Sequence, residues 1–426
     1  MRTDDEHVAD RLRWLDDEPA GPPRIDLPGA IREARRRRRN RRVAAAGAVA
    51  LGVLAVAALP AALGGHGRAA PAPAARPGPS MPPGPSKPSP EPRPTGPWQG
   101  VCEAELLPVP GDPHGAVTGG DPDGRWLVGR RAPQGRDRVD FGLLIWEGDR
   151  VREVELPGSA QKLTDVNRAG LAVGSSLAAG DLWQAWAVRD GEVIRLPGGP
   201  SEGATAVDDA GRIVGYRSVG HVWEPGFKHL PVVWDSYRSQ PVDLPLPGPQ
   251  WEGTAVGIDE DGTILAVMSE GNPGEASRAV VWRPGAARPE VLPLPRVPGG
   301  KASRFVPLSV AGGWVTGTAE RDTTVVPRSG ITRYPVRIDL RTGRVEVLTG
   351  VLYDGTGNGR GWLAGSVSGG VPGLVTDTKA VKLPMPDGWR GGRRGGVKSL
   401  SDDGRVLGGK LERDDQDVRP VRWTCR

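Results

Sequence analysis

Histidine is scarce in this 426-residue chain, with only His7, His66, His114, His221 and His229 present. A catalytic relay or a zinc site needs a base or ligand at fixed spacing, and the chain has no Gly-x-Ser-x-Gly elbow, CxxC, HExxH or Walker loop. Nucleophilic and zinc catalysis are therefore set aside, and no cofactor is expected. Cysteine is scarcer still, with Cys102 and Cys425 alone. Phe and Tyr number 3 and 4, whereas Trp numbers 14, a bias that fits one Trp copied per repeat. Gly 63 and Pro 44 exceed ordinary usage. Most of the Gly falls at regular turn positions and much of the Pro in one linker, so the excess marks many short strands.

The formal net charge of +5 is largely N-terminal, because Arg32 and the run Arg35 to Arg42, broken by Asn40, gather there. Such a run can bind nucleic acid. The uncharged segment directly after it points to a membrane instead. Residues 43–64 (VAAAGAVALGVLAVAALPAALG) carry no charge and as a helix reach about 33 Å, against a hydrocarbon core of about 30 Å. Arginines just before a span keep the N-terminus cytoplasmic and hold anionic headgroups. The reading is an uncleaved, single-pass signal-anchor with an extracytoplasmic remainder. Cleavage as a signal peptide, or export through the twin-arginine-like Asn40-Arg41-Arg42-Val43, would equally place the remainder outside.

Residues 1–42 form a charged cytoplasmic tail in which Val8 to Leu15 can make two amphipathic turns before Pro19. Residues 65–99 form a Pro-rich extracytoplasmic linker. Pro-rich chain stays extended at about 3.1 Å per residue, so Ala70 to Trp98 reaches up to roughly 90 Å, which suits a stalk through a cell wall.

Residues 100–426 repeat. A small residue in a hairpin return recurs at Gly129, Gly174, Gly215, Ala266, Gly317, Gly365 and Gly408, every 41 to 51 residues, each after a turn such as DDAGRIVG or DEDGTILA. The third copy shows four strands: GATAV and RIVG around an Asp/Gly turn, then LPVVW and VDLPL. Proline is confined to edges and strand ends, so the fourth strand is outermost. Seven such copies define an all-β, seven-bladed β-propeller of four-stranded blades, preceded by one transmembrane helix and the linker. Trp146, Trp186, Trp234, Trp282 and Trp423 mark the third strand, with Ile338 and Thr376 in the fifth and sixth copies, and are read as packing residues.

The last copy ends at Arg426 without a fourth strand, and CEAELLPVPG (102–111) matches the missing one. By the offsets of the fourth copy, Cys425 and Cys102 stand on either side of the absent turn. A Cys102–Cys425 disulfide closing the ring is predicted, as exported cysteines allow. The small-residue strand, Asp/Asn-x-x-Gly, an apolar pair ending in Gly, a strand ending in Trp and a Leu-Pro-Gly exit together resemble the bacterial HAF-type extracellular repeats over Gly115 to Cys425. AWAV, PVVW and AVVW stand where that family's His-Ala-Phe belongs. The resemblance implies secreted repeats and no chemistry.

Carboxylates recur at the turns, as Asp121 and Asp123, Asp208 and Asp209, Asp259 and Asp261, and Asp402 and Asp403. A calcium loop needs further oxygen ligands ending in Glu, and the chain lacks them at those offsets. Asx turns account for the same residues, so no metal is expected. The better expectation is a binding face made by the loops between second and third strands and between blades. The longest insertion there is placed in the third copy, Tyr216 to His229. The ligand-binding candidates are Tyr216, His221, Trp223, Trp251, Trp389 and Arg390, since aromatics with arginine favour interfaces. The alternative for the loop Trp residues is packing onto neighbouring blades. The expected function is non-enzymatic binding of an extracytoplasmic protein or cell-wall glycan. The alternatives are a glycan hydrolase or lyase using channel carboxylates, and a sensor coupled to the tail.

Overall fold

The computed structural model describes residues 98–426, apart from 112, 132–141, 179–181, 221–225, 272–276, 326–327, 349–350, 368–369, 378, 390–393 and 414–416. The predicted tail, the segment 43–64 and nearly all of the linker lie outside the described residues. Among those described, no helix is long and apolar enough to cross a membrane.

Seven four-stranded antiparallel sheets follow one another along the chain. Blade 1 is Gly115–Gly120, Trp126–Arg131, Leu143–Glu147 and Arg150–Val154, and blades 2 to 6 begin at Ser159, Glu202, Trp251, Arg304 and Val351. Blade 7 joins Arg394–Leu400, Val406–Glu412 and Val418–Cys425 to the early strand Cys102–Leu106. Neighbouring blades pack face to face, and blade 7 packs on blade 1, closing the ring. Middle strands are covered on both faces, which is why runs such as LLIW are buried without alternation. Outer strands are short, only Val242–Asp243 in blade 3 and Glu290–Val291 in blade 4, and in every blade but the fifth lead into Leu-Pro. A proline with no N–H suits an edge that offers no further pairing.

The predicted latch is present. Cys102 faces Cys425 in an antiparallel register that continues to Leu106 and Val421, and the two sulfurs are bonded. Leu107 N–H donates to Pro420 O at 3.0 Å and Arg426 N–H to Val101 O at 2.8 Å, so the joint is a sheet before it is a crosslink.

The Trp marker does more than fill space. Trp146, Trp234, Trp282 and Trp423 donate their indole N–H to the carbonyls of Pro108, Pro197, Pro245 and Pro384 at 2.8 to 2.9 Å. Each proline sits in the Leu-Pro exit of the preceding blade, so the two repeat motifs are the two halves of one clasp between blades. Trp186 reaches its proline through a relay, donating to Ser176 Oγ at 2.8 Å, which donates to Pro157 O at 2.5 Å.

Strand register corrects four details of the sequence reading. Trp186 pairs with Gly174, whereas Trp234 pairs with Ile213 and Trp282 with Ile264, so Trp186 stands two residues early. A shift of two keeps a side chain on the same face, and the serine bridges the difference. In blade 6 the marker position is Val375, opposite Leu363, and not Thr376. The seventh landmark is Gly409, opposite Val397 as Gly215 is opposite Ala204, because the turn from Ser401 to Val406 is one residue longer than that from Asp208 to Arg212. The longest excursion between second and third strands is in blade 5 and not in blade 3, as the pairing of Gly317 with Val336 against that of Gly215 with Val232 shows. Trp314–Val325 and Arg328–Asp339 each run 12 residues, with β-branched Thr and Val residues extending a hairpin in place of a loop.

The turn glycines are dictated twice over. Gly404 has φ +73°, and a Cβ there would strike the ring of Trp362 from the turn of blade 6.

Candidate functional site: the ring channel

Each inner strand carries an irregularity in its pairing with the second strand. A bulge leaves one residue unpaired and re-aims it. Here the residues so freed, Thr118, Thr164, Thr205, Val256, Leu308 and Lys398, together with Gly355 from a longer interruption in blade 6, line one level of a cavity of about 500 Å³. That volume is within the range of small-molecule sites. The lining has two halves, with Lys398 and three threonines from blades 7, 1, 2 and 3, and Val256, Leu308 and Gly355 from blades 4, 5 and 6.

The threonine hydroxyls also tie blades together. Thr118 donates to Leu163 O at 2.7 Å, Thr164 to Ala204 O at 3.2 Å and Thr205 to Ala255 O at 2.7 Å, in each case to the next blade. Their protons are committed, and their remaining lone pairs are left to accept from the cavity.

At the mouth formed by the turns between first and second strands, Arg168 crosses the ring axis. Its Nε meets Asp123 Oδ1 of blade 1 at 3.0 Å and its Nη2 meets Asp402 Oδ2 of blade 7 at 3.0 Å. Its Nη1 pairs with Asp209 of blade 3 and lies 3.7 Å from Glu260 Oε1 of blade 4. In a ring of seven, blade 4 stands across the axis from blade 7, so one guanidinium spans the opening. Burial would lower the Arg168 pKa, but its bonds to Asp209 and Asp123 outweigh that and hold the group charged.

The remaining turn carboxylates serve the backbone. Asp121 accepts from Trp126 N–H at 2.6 Å and Asp123 N–H at 3.1 Å. Asp208 accepts from Arg212 N–H at 2.8 Å, and Asp259 from Gly312 and Gly313 N–H of blade 5 at 2.9 and 2.8 Å. Asn167 and Asn358 likewise accept from Leu171 and Trp362 N–H. These are the Asx turns expected from the sequence, and several also join adjacent blades. Among the described residues, no group of three or more His, Cys, Asp or Glu is disposed to hold a metal ion.

One carboxyl differs. Asp165 lines the cavity and accepts from Val207 N–H of blade 3 at 2.9 Å. It is partly open to the cavity yet surrounded by protein, and burial pushes it up to about 7, with the Asp121 and Glu260 charges adding to the effect. Burial likewise raises Asp121 to about 6 and lifts Glu260 and Asp402 above the ordinary carboxyl range. Ser309 fills the equivalent role in blade 5, accepting from Gly357 N–H at 2.9 Å without a charge.

The six ligand candidates do not form one cluster among the described residues. His221, Trp223 and Arg390 lie outside them. Tyr216 is 8% exposed, packs edge-on to His229 at 4.8 Å, and burial pushes its hydroxyl up to about 12. His229 also meets Phe227 edge-on at 5.1 Å, and burial lowers its pKa. Trp251 is 9% exposed within the core shared by blades 3 and 4. Trp389 stands apart at the entry to blade 7, under the guanidinium of Arg413 at 5.2 Å. Tyr216 and Trp251 thus occupy packing positions. The channel residues were missed, although a signal existed: each of the seven lies three positions before its turn residue, as Thr205 does before Asp208 and Lys398 before Ser401.

Fold and site together define a disulfide-closed, seven-bladed propeller with a two-sided channel stoppered at one mouth. No family model matches the chain, and no curated protein matches it. Among solved structures, oligogalacturonate lyase in complex with manganese is similar at 12% identity and a TM-score of 0.43, over 76% of this chain and 90% of that one. Polysaccharide lyase Uly1 is similar at 7% identity and a TM-score of 0.49, over 71% and 88%. The acylaminoacyl peptidase of Pyrococcus horikoshii is similar at 11% identity and a TM-score of 0.49, over 73% of this chain and 52% of the peptidase. The architecture rests on the strand pairing itself and not on these similarities.

Proposed function

We propose that this chain is a non-enzymatic binding module held outside a membrane by residues 43–64 on the linker 65–99, and that its ligand is a cell-wall glycan. The observation that carries this reading is the use made of the mouth carboxylates. Asp123, Asp209, Glu260 and Asp402 surround Arg168, and Asp121, Asp208 and Asp259 hold backbone N–H groups, so none is left as an opposed acid and base pair. A hydroxyl-lined cavity supports binding of a polyhydroxylated ligand. Full-length protein in lipid nanodiscs should bind isolated cell-wall polymer saturably. Absence of binding by the oxidised ring would refute the glycan reading and favour a protein partner on the loop face. Protease protection of residues 1–42 in sealed inverted vesicles versus intact cells tests the orientation, because the tail should be cleaved only where the cytoplasmic face is exposed.

A second reading has one observation in its favour. Asp165 faces the cavity with a pKa near 7, as a general acid or base requires. Release of reducing ends from the same polymer, abolished by Asp165→Asn in a folded protein, would establish it.

A further inference from the structure

We infer that the channel takes a linear saccharide end-on, by a terminal sugar that bears a carboxylate, entering from the loop face. This rests on the glycan-binding reading above and goes beyond it in naming the part of the ligand recognised. Three features carry it. First, Arg168 joins blades 1, 3, 4 and 7 across the turn-side mouth, so a polymer cannot thread through and only a chain end can fill the cavity. Second, the lining is two-sided. A pyranose has an apolar C–H face and a rim of hydroxyls, and Val256 and Leu308 stand on one side of the cavity with Thr118 and Thr164 on the other. The threonine oxygens have given their protons to backbone carbonyls and so accept from sugar hydroxyls. Third, Lys398 brings to the same level the one ammonium among the described lining residues, whose other charged groups are the carboxylates Asp165, Asp259, Glu260 and Asp402. An ammonium has three N–H donors, so it can serve an internal partner and a ligand carboxylate together.

The test uses full-length protein in nanodiscs and a glucuronate-terminated tetrasaccharide, its methyl ester, and the same sugar coupled to a bead through the terminal residue. The acid should bind at least about tenfold more tightly than the ester, equivalent to about 1.4 kcal/mol. Lys398→Met should erase that preference. Val256→Trp, which fills the cavity, should abolish both, and the bead-coupled sugar should not bind. Equal affinity for acid and ester, or for free and bead-coupled ends, or binding unchanged in Val256→Trp, would overturn the end-on inference and leave a glycan module intact. Failure of every saccharide, polymer included, would overturn the binding reading as well. Circular dichroism and the intact disulfide in each variant separate these outcomes from misfolding.

Discussion

The clasp between blades makes a prediction with its own control. Trp234→Phe removes an indole N–H that is the donor to Pro197 O, in a side chain with no exposed surface. The carbonyl then stays buried without that partner, at a cost of about 1–3 kcal/mol, and the smaller ring adds a packing loss. Trp186→Phe deletes the same atoms from a side chain buried nearly as deeply. Its proline carbonyl, however, keeps the Ser176 hydroxyl as donor. The packing loss is common to both variants and cancels in the comparison. Trp234→Phe is therefore expected to lower stability more than Trp186→Phe by about 1–3 kcal/mol. Urea unfolding followed by far-ultraviolet circular dichroism measures the difference. Equal midpoints in the two variants would show that the indole acts as volume alone.

Three further outcomes are expected. Arg168→Met should cost about 2 kcal/mol, less than the 3–5 of a fully buried pair because the guanidinium is a third exposed; the deficit should shrink from pH 8 to pH 5 as the crowded carboxyls gain protons, and a pH-independent deficit would contradict the arrangement. Asp165 has a folded pKa raised to about 7, so the stability it confers is complete below its unfolded value near 4 and is lost as pH rises through 7. Asp165→Asn should accordingly be more stable than the parent at pH 8, by no more than about 4 kcal/mol, and equal to it near pH 4; parallel pH profiles from urea titrations would refute this. Replacing Cys102 and Cys425 by Ser should cost at most about 5–6 kcal/mol on the chain-entropy account for the 323-residue separation. Hydrogen exchange should rise first in Cys102–Leu106, and protection unchanged there would mean that the strand pairing alone holds the joint.

The architecture was legible because a blade announces itself locally. An Asp/Gly-type turn, a small residue in the return and a Leu-Pro exit are each short-range signals, and their recurrence through most of the seven copies leaves few arrangements open. The latch was legible for the same reason, since Cys102 and Cys425 stand at fixed offsets from motifs whose partners are missing. What failed was register. Trp186 looks equivalent to Trp234 in a string of letters, and only pairing with Gly174 shows the two-residue shift that Ser176 compensates. The channel was hidden for a different reason. Aromatic loop residues attract attention, but Tyr216 and Trp251 are large enough to be drawn into the packing between blades. The channel residues are ordinary Thr, Val and Leu, which become lining only because a bulge turns them inward.

Departures from the repeat are where the ring is informative. Val375 lacks an indole donor, and the boundary between blades 5 and 6 is held by another device. There Arg337 donates to Gly361 O and Asp377 at 2.9 Å and lies over the ring of Trp314 at 4.9 Å, while Trp362 donates to Asp377 at 3.0 Å. Burial alone would raise the Asp377 pKa, but the bonds from Trp362 and Arg337 hold it below the ordinary range. Blades 4 to 6 thus differ from the rest on two counts, in how the last pair is joined and in what they show the channel. Thr118, Thr164 and Thr205 each staple the next blade through a hydroxyl, whereas Val256, Leu308 and Gly355 have none to give. The apolar half gives up three such staples. That loss is accounted for if the two halves face different sides of one ligand.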